Sequence, residues 1–276
     1  MSDERPTGAP RIGRLTGVSL GPGDPGLITR RAWALLERRD TVWTYPTRST
    51  KSPSYAFDIV TRADLAPPQQ HQSLLFPMTH DGDKLLRHWH RAAEAVLPLL
   101  QAGRDVLFLV EGDASTYATF GHLARTVCAL DERIEIEVVP GVNSFSAACA
   151  TLGLPLAEQD DTVALVPAAY GVSAVDGLLG DFDTLVLLKV KPLMDELIAW
   201  LEQRGLLDHA QFIERCGAPD ERVVTDLLSL RGQKVSYLSL MIVKNPHRVR
   251  GERVRGCLKK TSAQAATRPQ DSEATA

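Results

Sequence analysis

The sequence has few cysteines and no long apolar run, and each absence excludes a class of protein. Its four cysteines are widely separated and form no CxxC pair, which argues against a disulfide framework and a structural zinc site. No apolar stretch approaches the ~20 residues that span a bilayer. Residues 1–11 are polar where a signal peptide needs an apolar centre. We therefore expect a cytoplasmic protein without a membrane partner.

Charge of one sign is also lacking. The 31 Lys and Arg residues against 34 Asp and Glu residues give a net charge of −3, so no global positive field exists to hold a nucleic-acid backbone. A basic stretch does occupy residues 247–260, but it has no interleaved aromatic residues and runs into a polar tail. It therefore predicts a solvated terminus, and no nucleic-acid partner is expected.

Three histidines lie close together in the sequence, at His80, His88 and His90. On a helix, positions 88 and 90 point to different faces, and no cysteine or carboxylate completes a ligand set. The pattern favours surface histidines, and no metal site is predicted.

Strand and helix patterns alternate along the first half of the chain, as is typical of an α/β protein. Strands are predicted at 14–20, 41–45, 105–110 and 134–139, and helices at 27–39, 84–101 and 117–130. A long polar connection separates the second strand from the second helix. Pro98 predicts a kink or a break within that helix.

Strands dominate over helices after Pro140. They are predicted at 162–167, 184–190, 211–215 and 237–243, with helices at 144–152 and 193–204. We predict two α/β domains joined near residues 140–144. The N-terminal domain, residues 12–141, has a mostly parallel sheet with flanking helices, and the C-terminal domain, residues 142–250, has a mixed sheet. Residues 1–11 and 261–276 are predicted to be disordered.

Glycine loops follow three of the predicted strands. The first, GPGDPG at 21–26, formally matches the dinucleotide fingerprint, but Pro22 removes a donor and Asp24 places negative charge where a pyrophosphate would sit. The others are EGD at 111–113 and PGVNS at 140–144. Because the carboxyl ends of parallel strands share one sheet edge, the three loops are expected to converge on one crevice.

The ordered set of motifs resembles the tetrapyrrole methylases, a family of two-domain α/β methyltransferases that use S-adenosylmethionine. The resemblance covers about 15–244, in the segments VSLGPGDPGLIT (18–29), VEGDASTYATF (110–120), VVPGVNSFSAA (138–148), TLVLLK (184–189) and YLSLMIV (237–243). Within the family, YPTRSTKSPSYA (45–56) and LLFPMTHD (74–81) are most similar to the branch that methylates precorrin-2 at C20 in cobalamin biosynthesis. The branch that acts on cobalt-bearing factor II shares most of these motifs.

The resemblance implies that S-adenosylmethionine binds folded in a cleft between the two domains, mainly through backbone groups, and that the protein is a homodimer. Three positions depart from the family pattern: Glu111, where a small or apolar residue is common, Ala114, where proline is usual, and Asn143, where threonine is more frequent. An asparagine accepts the same hydrogen bonds and donates more, so cofactor binding is expected to survive. The positions implicated are Pro22, Glu111, Gly112, Asp113, Thr116, Asn143, Ser144, Lys189, Cys216, Gly217 and Ala218.

A polycarboxylate ring as substrate requires cations, and the segment that follows the second strand supplies them. Arg48 and Lys51 are expected to pair with ring carboxylates, with His80 and Tyr117 also contacting the ring. Methylation of a ring carbon also releases a proton. Tyr117 and Asp113 are the leading catalytic candidates to accept it, with His80 as a third, and the sequence does not decide among them.

Two other functions stay open. A related fold methylates RNA or a modified histidine of a translation factor, and a non-catalytic nucleotide-binding module would keep the same glycine loops. The segments TRSTKS (47–52) and FPMTHD (76–81) favour the tetrapyrrole.

Overall fold

A computed structural model describes residues 11–250, with Ala169 described by its backbone alone. The first half forms a five-stranded sheet of order β3-β2-β4-β1-β5 in which every neighbouring pair is parallel. Its strands are β1 (Leu15–Ser19), β2 (Val42–Thr47), β3 (His71–Leu75), β4 (Val106–Val110) and β5 (Ile136–Val139). All five residues of β1 and of β4 are buried, because these central strands are covered on both faces. The predicted parallel sheet is confirmed.

Four helices flank this sheet: α1 (Arg30–Leu36), α2 (Tyr55–Arg62), α3 (Gly82–Gln101) and α4 (Phe120–Leu130). Three of them begin at a capping side chain, where Thr29, Ser54 or Asp81 accepts a hydrogen bond from a first-turn backbone N–H. Helices α3 and α4 bury one face of the sheet, and α1 and α2 bury the other. The sheet thus has a core on each side.

The second half forms another five-stranded sheet, of order β6-β7-β10-β8-β9. The β6–β7 pair is parallel and the other pairs are antiparallel, which confirms the predicted mixed sheet. Its strands are β6 (Val163–Pro167), β7 (Thr184–Leu188), β8 (Ala210–Glu214), β9 (Arg222–Val224) and β10 (Ser239–Lys244), and the helices are α5 (Ser144–Leu152), α6 (Val172–Asp176) and α7 (Met194–Arg204). Helix α5 packs on β8 and β10. The domain division after residue 141 stays a prediction.

The prediction of a long polar connection between the second predicted strand and the second predicted helix was wrong, because this segment contains α2 and β3. Strand β3 has the sequence HQSLL at an edge of the sheet, and only Leu74 is buried. An edge strand with one buried residue carries no alternating apolar pattern that sequence reading can detect.

Three helix predictions also need correction. The helix predicted from residue 27 begins at Arg30, because Pro25–Leu27 forms a separate 3₁₀ turn. The helix predicted from Tyr117 begins at Phe120, since Tyr117 has a φ of +51°, which is not helical. Helix α3 continues through Pro98 to Gln101 without the break considered above. Pro98 lies in its last turn, so the lost N–H removes only one late hydrogen bond.

The strand directions bring the predicted site residues to neighbouring edges. The loops after β1, β2, β4 and β5 all leave the carboxyl edge of the first sheet. In the second sheet, β7 and β8 are both antiparallel to β10 and therefore run in the same direction. The residues that follow these two strands, Lys189 and 215–218, consequently lie at one edge. Tyr237, two residues before β10 begins, lies at the same edge.

Two predictions about the chain ends are partly wrong. The basic stretch was predicted to be solvated, but Arg250 pairs with Asp161 and Asp183 and Arg248 donates to the Gly180 carbonyl. Arg11, predicted to be disordered, donates to both carboxylate oxygens of Asp105. Ionic partners distant in sequence hold these residues. Residues 1–10 and 251–276 lie outside the described part.

Asp183 connects β6, β7 and the residues that follow β10. Its carboxylate is buried and accepts hydrogen bonds from Thr162 N at 2.8 Å, Thr162 Oγ1 at 2.9 Å and Arg250 Nε at 2.8 Å. Burial alone would raise the pKa of Asp183, but these hydrogen bonds and the Arg250 charge outweigh burial and lower the pKa from 3.8 to about 2. The ionised carboxylate therefore stabilises the folded state.

We predict that Asp183→Ala lowers the free energy of unfolding at neutral pH by about 1–3 kcal/mol, because three hydrogen bonds to a buried, charged carboxylate are lost. The pKa is lower in the folded state, so the stabilisation is full above the ordinary value and is lost as the pH falls from 3.8 toward about 2. Urea unfolding at neutral and acidic pH measures this. Asp181→Ala, at an exposed neighbour, is the matched control, and equal stability of the two variants contradicts the prediction.

Candidate functional site

The three glycine loops converge as predicted. Gly21 and Gly112 exchange backbone hydrogen bonds, with Gly112 N donating to Gly21 O at 2.7 Å and Gly21 N to Gly112 O at 3.1 Å. The third loop packs against both: a Cβ on Gly141 would lie 2.4 Å from Ser19 Cβ and 2.9 Å from Gly112 O. We refer to residues 21–24, 111–117 and 140–143 as the site loops.

Asp113 connects the second and third site loops. One carboxylate oxygen accepts from Ser115 N at 2.9 Å and from the Ser115 and Thr116 hydroxyls, and the other accepts from Gly141 N at 2.8 Å. Burial alone would raise the pKa of Asp113, but the hydrogen bonds from Ser115, Gly141 and Thr116 hold it below its usual value. This geometry favours a positioning role for Asp113 over the proton-accepting role predicted from sequence.

Residues 216–218 of the second half pack against the first site loop. A Cβ on Gly23 would lie 2.5 Å from Cys216 O and 2.9 Å from Ala218 N. In return, a Cβ on Gly217 would lie 2.6 Å from Asp24 N, and Gly217 has a φ of +76°, which favours glycine. The two halves of the molecule therefore meet backbone to backbone, and the second half contributes the three positions 216–218 that the sequence implicated in cofactor binding.

Tyr117 extends from the second site loop to the second sheet. Its hydroxyl donates to Leu165 O at 3.2 Å, and Lys189 Nζ lies 5.7 Å from the centre of its ring. Both Tyr117 and Lys189 have positive φ, of 51° and 58°, in a region that side chains with a Cβ rarely adopt. Two residues that the sequence assigned to different roles are thus neighbours where the two halves meet.

Two arginine–tyrosine pairs, each with one member from either half, also join the halves. Arg48 Cζ lies 4.4 Å from the centre of the Tyr237 ring, and Arg215 Cζ lies 5.6 Å from the centre of the Tyr55 ring. Sequence analysis missed Tyr55, Arg215 and Tyr237 as site residues. Their position in the sequence was the available signal, since Arg215 directly precedes Cys216 and Tyr237 opens the last family motif.

Glu111 lies between these features, directly after the buried strand β4. Its side chain is partly buried, and burial raises the pKa of Glu111, opposed by its own backbone N–H and by the Arg48 charge. The same surroundings act on Tyr237. Burial raises the pKa of Tyr237, the Arg48 charge lowers it, and the Glu111 charge raises it further. Charge interactions therefore link Glu111 with Arg48 and Tyr237.

The other predicted residues lie at the same edge with different exposure. Pro22 is buried in the first site loop, and Asn143 and Ser144 begin α5 without a side-chain capping bond. Lys51 and His80 are exposed, on the connections that follow β2 and β3. The structure therefore brings the predicted cofactor positions together and leaves Lys51 and His80 at the periphery.

Cys216 has the thiol chemistry of a structural residue. It is buried, and burial, with Glu221 nearby, raises the pKa of its thiol to about 12, so the thiolate nucleophile is absent at neutral pH. Among residues 11–250, no three His, Cys, Asp or Glu side chains are grouped to hold a metal ion. Over the same residues, no helix has the length and apolar character needed to cross a membrane.

Comparison with known protein families matches residues 14–230 to the Tetrapyrrole (Corrin/Porphyrin) Methylases. This range contains all three site loops and residues 215–218.

Two curated relatives are similar over most of the chain. A precorrin-2 C(20)-methyltransferase of Sinorhizobium sp is 30% identical over 240 residues, which cover 84% of this chain and 95% of the relative. A cobalt-precorrin-2 C(20)-methyltransferase of Salmonella typhimurium is 31% identical over 232 residues, 84% of this chain and 96% of the relative. Among solved structures, uroporphyrin III C-methyl transferase from Thermus thermophilus is 25% identical with a TM-score of 0.56, covering 84% of this chain and 92% of its own.

We predict that Gly23→Ala destabilises the protein by about 1–3 kcal/mol, because the new Cβ overlaps backbone atoms that no rotamer change can move. Thermal unfolding of the ligand-free protein measures this. Gly82→Ala is the matched control, since no described atom lies within 4 Å of that Cβ position, and it should change stability by no more than about 0.5 kcal/mol. Equal melting temperatures for the two variants would contradict the backbone contact.

Proposed function

The chain belongs to the tetrapyrrole methylase family, and from this membership we propose that it transfers a methyl group from S-adenosylmethionine to C20 of precorrin-2, giving precorrin-3A in cobalamin biosynthesis. One observation carries the proposal. The site loops and residues 216–218, which contain most of the positions that the sequence implicated in cofactor binding, lie together where the two halves meet, within the range that matches the family.

The residues present fit S-adenosylmethionine. Gly112 has a φ of +74°, and no described atom lies within 4 Å of the place where a Cβ would sit, so a ligand can approach its backbone closely. The Asn143 amide makes no capping hydrogen bond at the start of α5 and can bind polar groups of the cofactor, as can the neighbouring Ser144 hydroxyl. We propose that these groups, with Pro22, Thr116, Lys189 and Cys216–Ala218, hold the cofactor.

The substrate ring is proposed to lie against the connection after β2. Arg48 is exposed, yet its guanidinium stacks on the Tyr237 ring, which limits its motion. Its N–H groups donate no hydrogen bond within residues 11–250, so they can pair with a ring carboxylate. Lys51 and His80, exposed at the same edge, extend this side of the site. Tyr117 faces the cleft from the opposite loop, and we propose that its ring contacts the tetrapyrrole.

Positioning is the main catalytic contribution of these residues. When bound, S-adenosylmethionine supplies a methyl group on a sulfonium whose leaving thioether is neutral, so no strong acid is needed. Holding two reactants in line contributes about 7–11 kcal/mol relative to a free encounter. Asp113 fixes the second and third site loops relative to each other, and Tyr117 and Lys189 connect them to the second sheet. These residues set the orientation of the reactants.

Cobalt-factor II is the second candidate substrate. The relative that acts on a cobalt-bearing precorrin is as similar to this chain as the relative named for the metal-free ring, at 31% against 30% identity. A metal in the substrate is carried by the ring itself. Both rings therefore belong in the same experiment.

The proposal predicts transfer of label from radiolabelled S-adenosylmethionine to precorrin-2 or cobalt-factor II, with the product identified by mass spectrometry. Ribosomal RNA and a translation-factor protein serve as competing acceptors in parallel reactions. Label in a macromolecule alone would refute the tetrapyrrole assignment. Cofactor binding without any transfer would favour a non-catalytic nucleotide-binding module.

We predict that Arg48→Ala raises the KM for the tetrapyrrole by about tenfold or more, because a charge-assisted hydrogen bond contributes about 1.5–3 kcal/mol. Affinity for S-adenosylmethionine, measured by calorimetry, should stay unchanged. Arg39→Ala, an exposed arginine at the opposite edge of the sheet, is the control. An unchanged KM for Arg48→Ala would remove Arg48 from the substrate site.

The homodimeric state and the cytoplasmic location stay predictions that rest on family resemblance and composition. Sedimentation of the purified protein tests the former.

A further inference from the structure

The proposed reaction releases one proton from the ring, and the residues predicted to accept it are otherwise engaged or peripheral. The four hydrogen bonds that the Asp113 carboxylate accepts all come from residues of the site loops, so both of its oxygens are already occupied. The Tyr117 hydroxyl donates to Leu165 O, and His80 is exposed beyond β3. None of these three groups combines a free acceptor atom with a sheltered position.

Glu111 has both properties. It follows β4, the strand at the centre of the first sheet, and its partly buried side chain lies at the carboxyl edge where the site loops meet. Within residues 11–250, its own backbone N–H is the hydrogen-bond donor found for its carboxylate. Arg48, proposed to bind ring carboxylates, is near enough to act on it electrostatically, and so is Tyr237. Glu111 therefore lies near Arg48, at the sheet edge where the ring is proposed to bind.

We propose that Glu111 is the proton acceptor of the methyl transfer, with Arg48 and Tyr237 positioning and tuning its carboxylate. This inference rests on the proposed function. It gives Glu111 a role in chemistry in place of the cofactor contact that family position implies.

The step balances as follows. The ring carbon uses a π electron pair to bond the methyl group while the bond between sulfur and methyl carbon breaks, and that bond's electron pair stays on the thioether. The carbon then carries both the methyl group and its original hydrogen. Glu111 removes this hydrogen as a proton, and the electron pair of the C–H bond restores the ring π system. No oxidant or reductant is needed, and the neutral carboxylic acid later returns the proton to water.

The surroundings of Glu111 suit this step. Its burial raises the pKa, which makes the carboxylate a stronger base, while its own backbone N–H and the Arg48 cation oppose the rise. The charged or titratable groups that act on it are Arg48, from the connection after β2, and Tyr237, from the residues before β10. Since the reactive form is ionised, the rate should rise with pH through the pKa of Glu111.

The test compares Glu111→Gln with Glu94→Gln, an exposed glutamate of α3. Glutamine keeps the shape of the side chain but accepts no proton, so we expect the single-turnover rate to fall by about 10²–10⁴-fold, with S-adenosylmethionine affinity and melting temperature unchanged. Substrate deuterated at C20 should react more slowly than unlabelled substrate in Glu111→Gln, because proton removal then limits the rate. Glu94→Gln should behave like the wild type.

Two measurements do not depend on the folding of Glu111→Gln. The acidic limb of the wild-type rate profile should lie above the ordinary range for glutamate, and Arg48→Ala should move it to higher pH by removing the stabilising cation. Infrared spectra of the ligand-free wild type and Arg48→Ala can be recorded over a range of pH. The pH at which the carboxylic-acid band disappears should be higher in Arg48→Ala, by the same shift.

The outcomes separate the two hypotheses. If the wild type methylates a tetrapyrrole while Glu111→Gln keeps the wild-type rate, or Arg48→Ala leaves the acidic limb in place, the assignment of Glu111 is overturned and the proposed function stands. If the wild type binds S-adenosylmethionine and labels no tetrapyrrole, the proposed function itself is overturned.

Discussion

The close backbone contact between the two halves is the constraint on which the site depends. Gly23 and Gly217 each lie where a Cβ would meet backbone atoms of the opposite half at 2.5–2.6 Å. A further contact of this kind joins Gly141 to Ser19 and Gly112. Backbone atoms cannot change rotamer to relieve an overlap, so glycine is required at these positions. The proposed cofactor site is therefore built by loops that hold one another in place.

Polar side chains hold together the loops whose close approach the glycines permit. Asp113 accepts bonds from two site loops, and its lowered pKa means that the carboxylate remains ionised when the loops are assembled. Glu111, two residues earlier, has the opposite environment: it is partly buried, has few donors and has a raised pKa. Two carboxyl groups on one loop thus have different acid–base properties. This contrast is the physical basis for giving one a positioning role and the other a role in proton transfer.

Much of the fold could be predicted from the sequence, and the reasons for the errors are local. The near-continuous apolar run at 106–110 predicted a buried parallel strand, and β4 is buried at all five positions. Strand β3 and helix α2 were missed because an edge strand with one buried residue, and a helix of eight residues, carry weak patterns. Arg250 was placed in a solvated tail because its partners, Asp161 and Asp183, lie far from it in sequence.

The sequence by itself determined the class of the fold, the family and the loops that form the site, because periodicity, glycine position and short motifs are local properties of the chain. Tertiary structure alone decided which side chains meet. It brought Tyr117 to Lys189 and Arg48 to Tyr237 across the cleft, and it engaged Asp113 while leaving Glu111 with few donors. The reason is that burial and long-range charge depend on residues separated by tens to hundreds of positions. A side chain's chemistry follows from those neighbours, which no local pattern specifies.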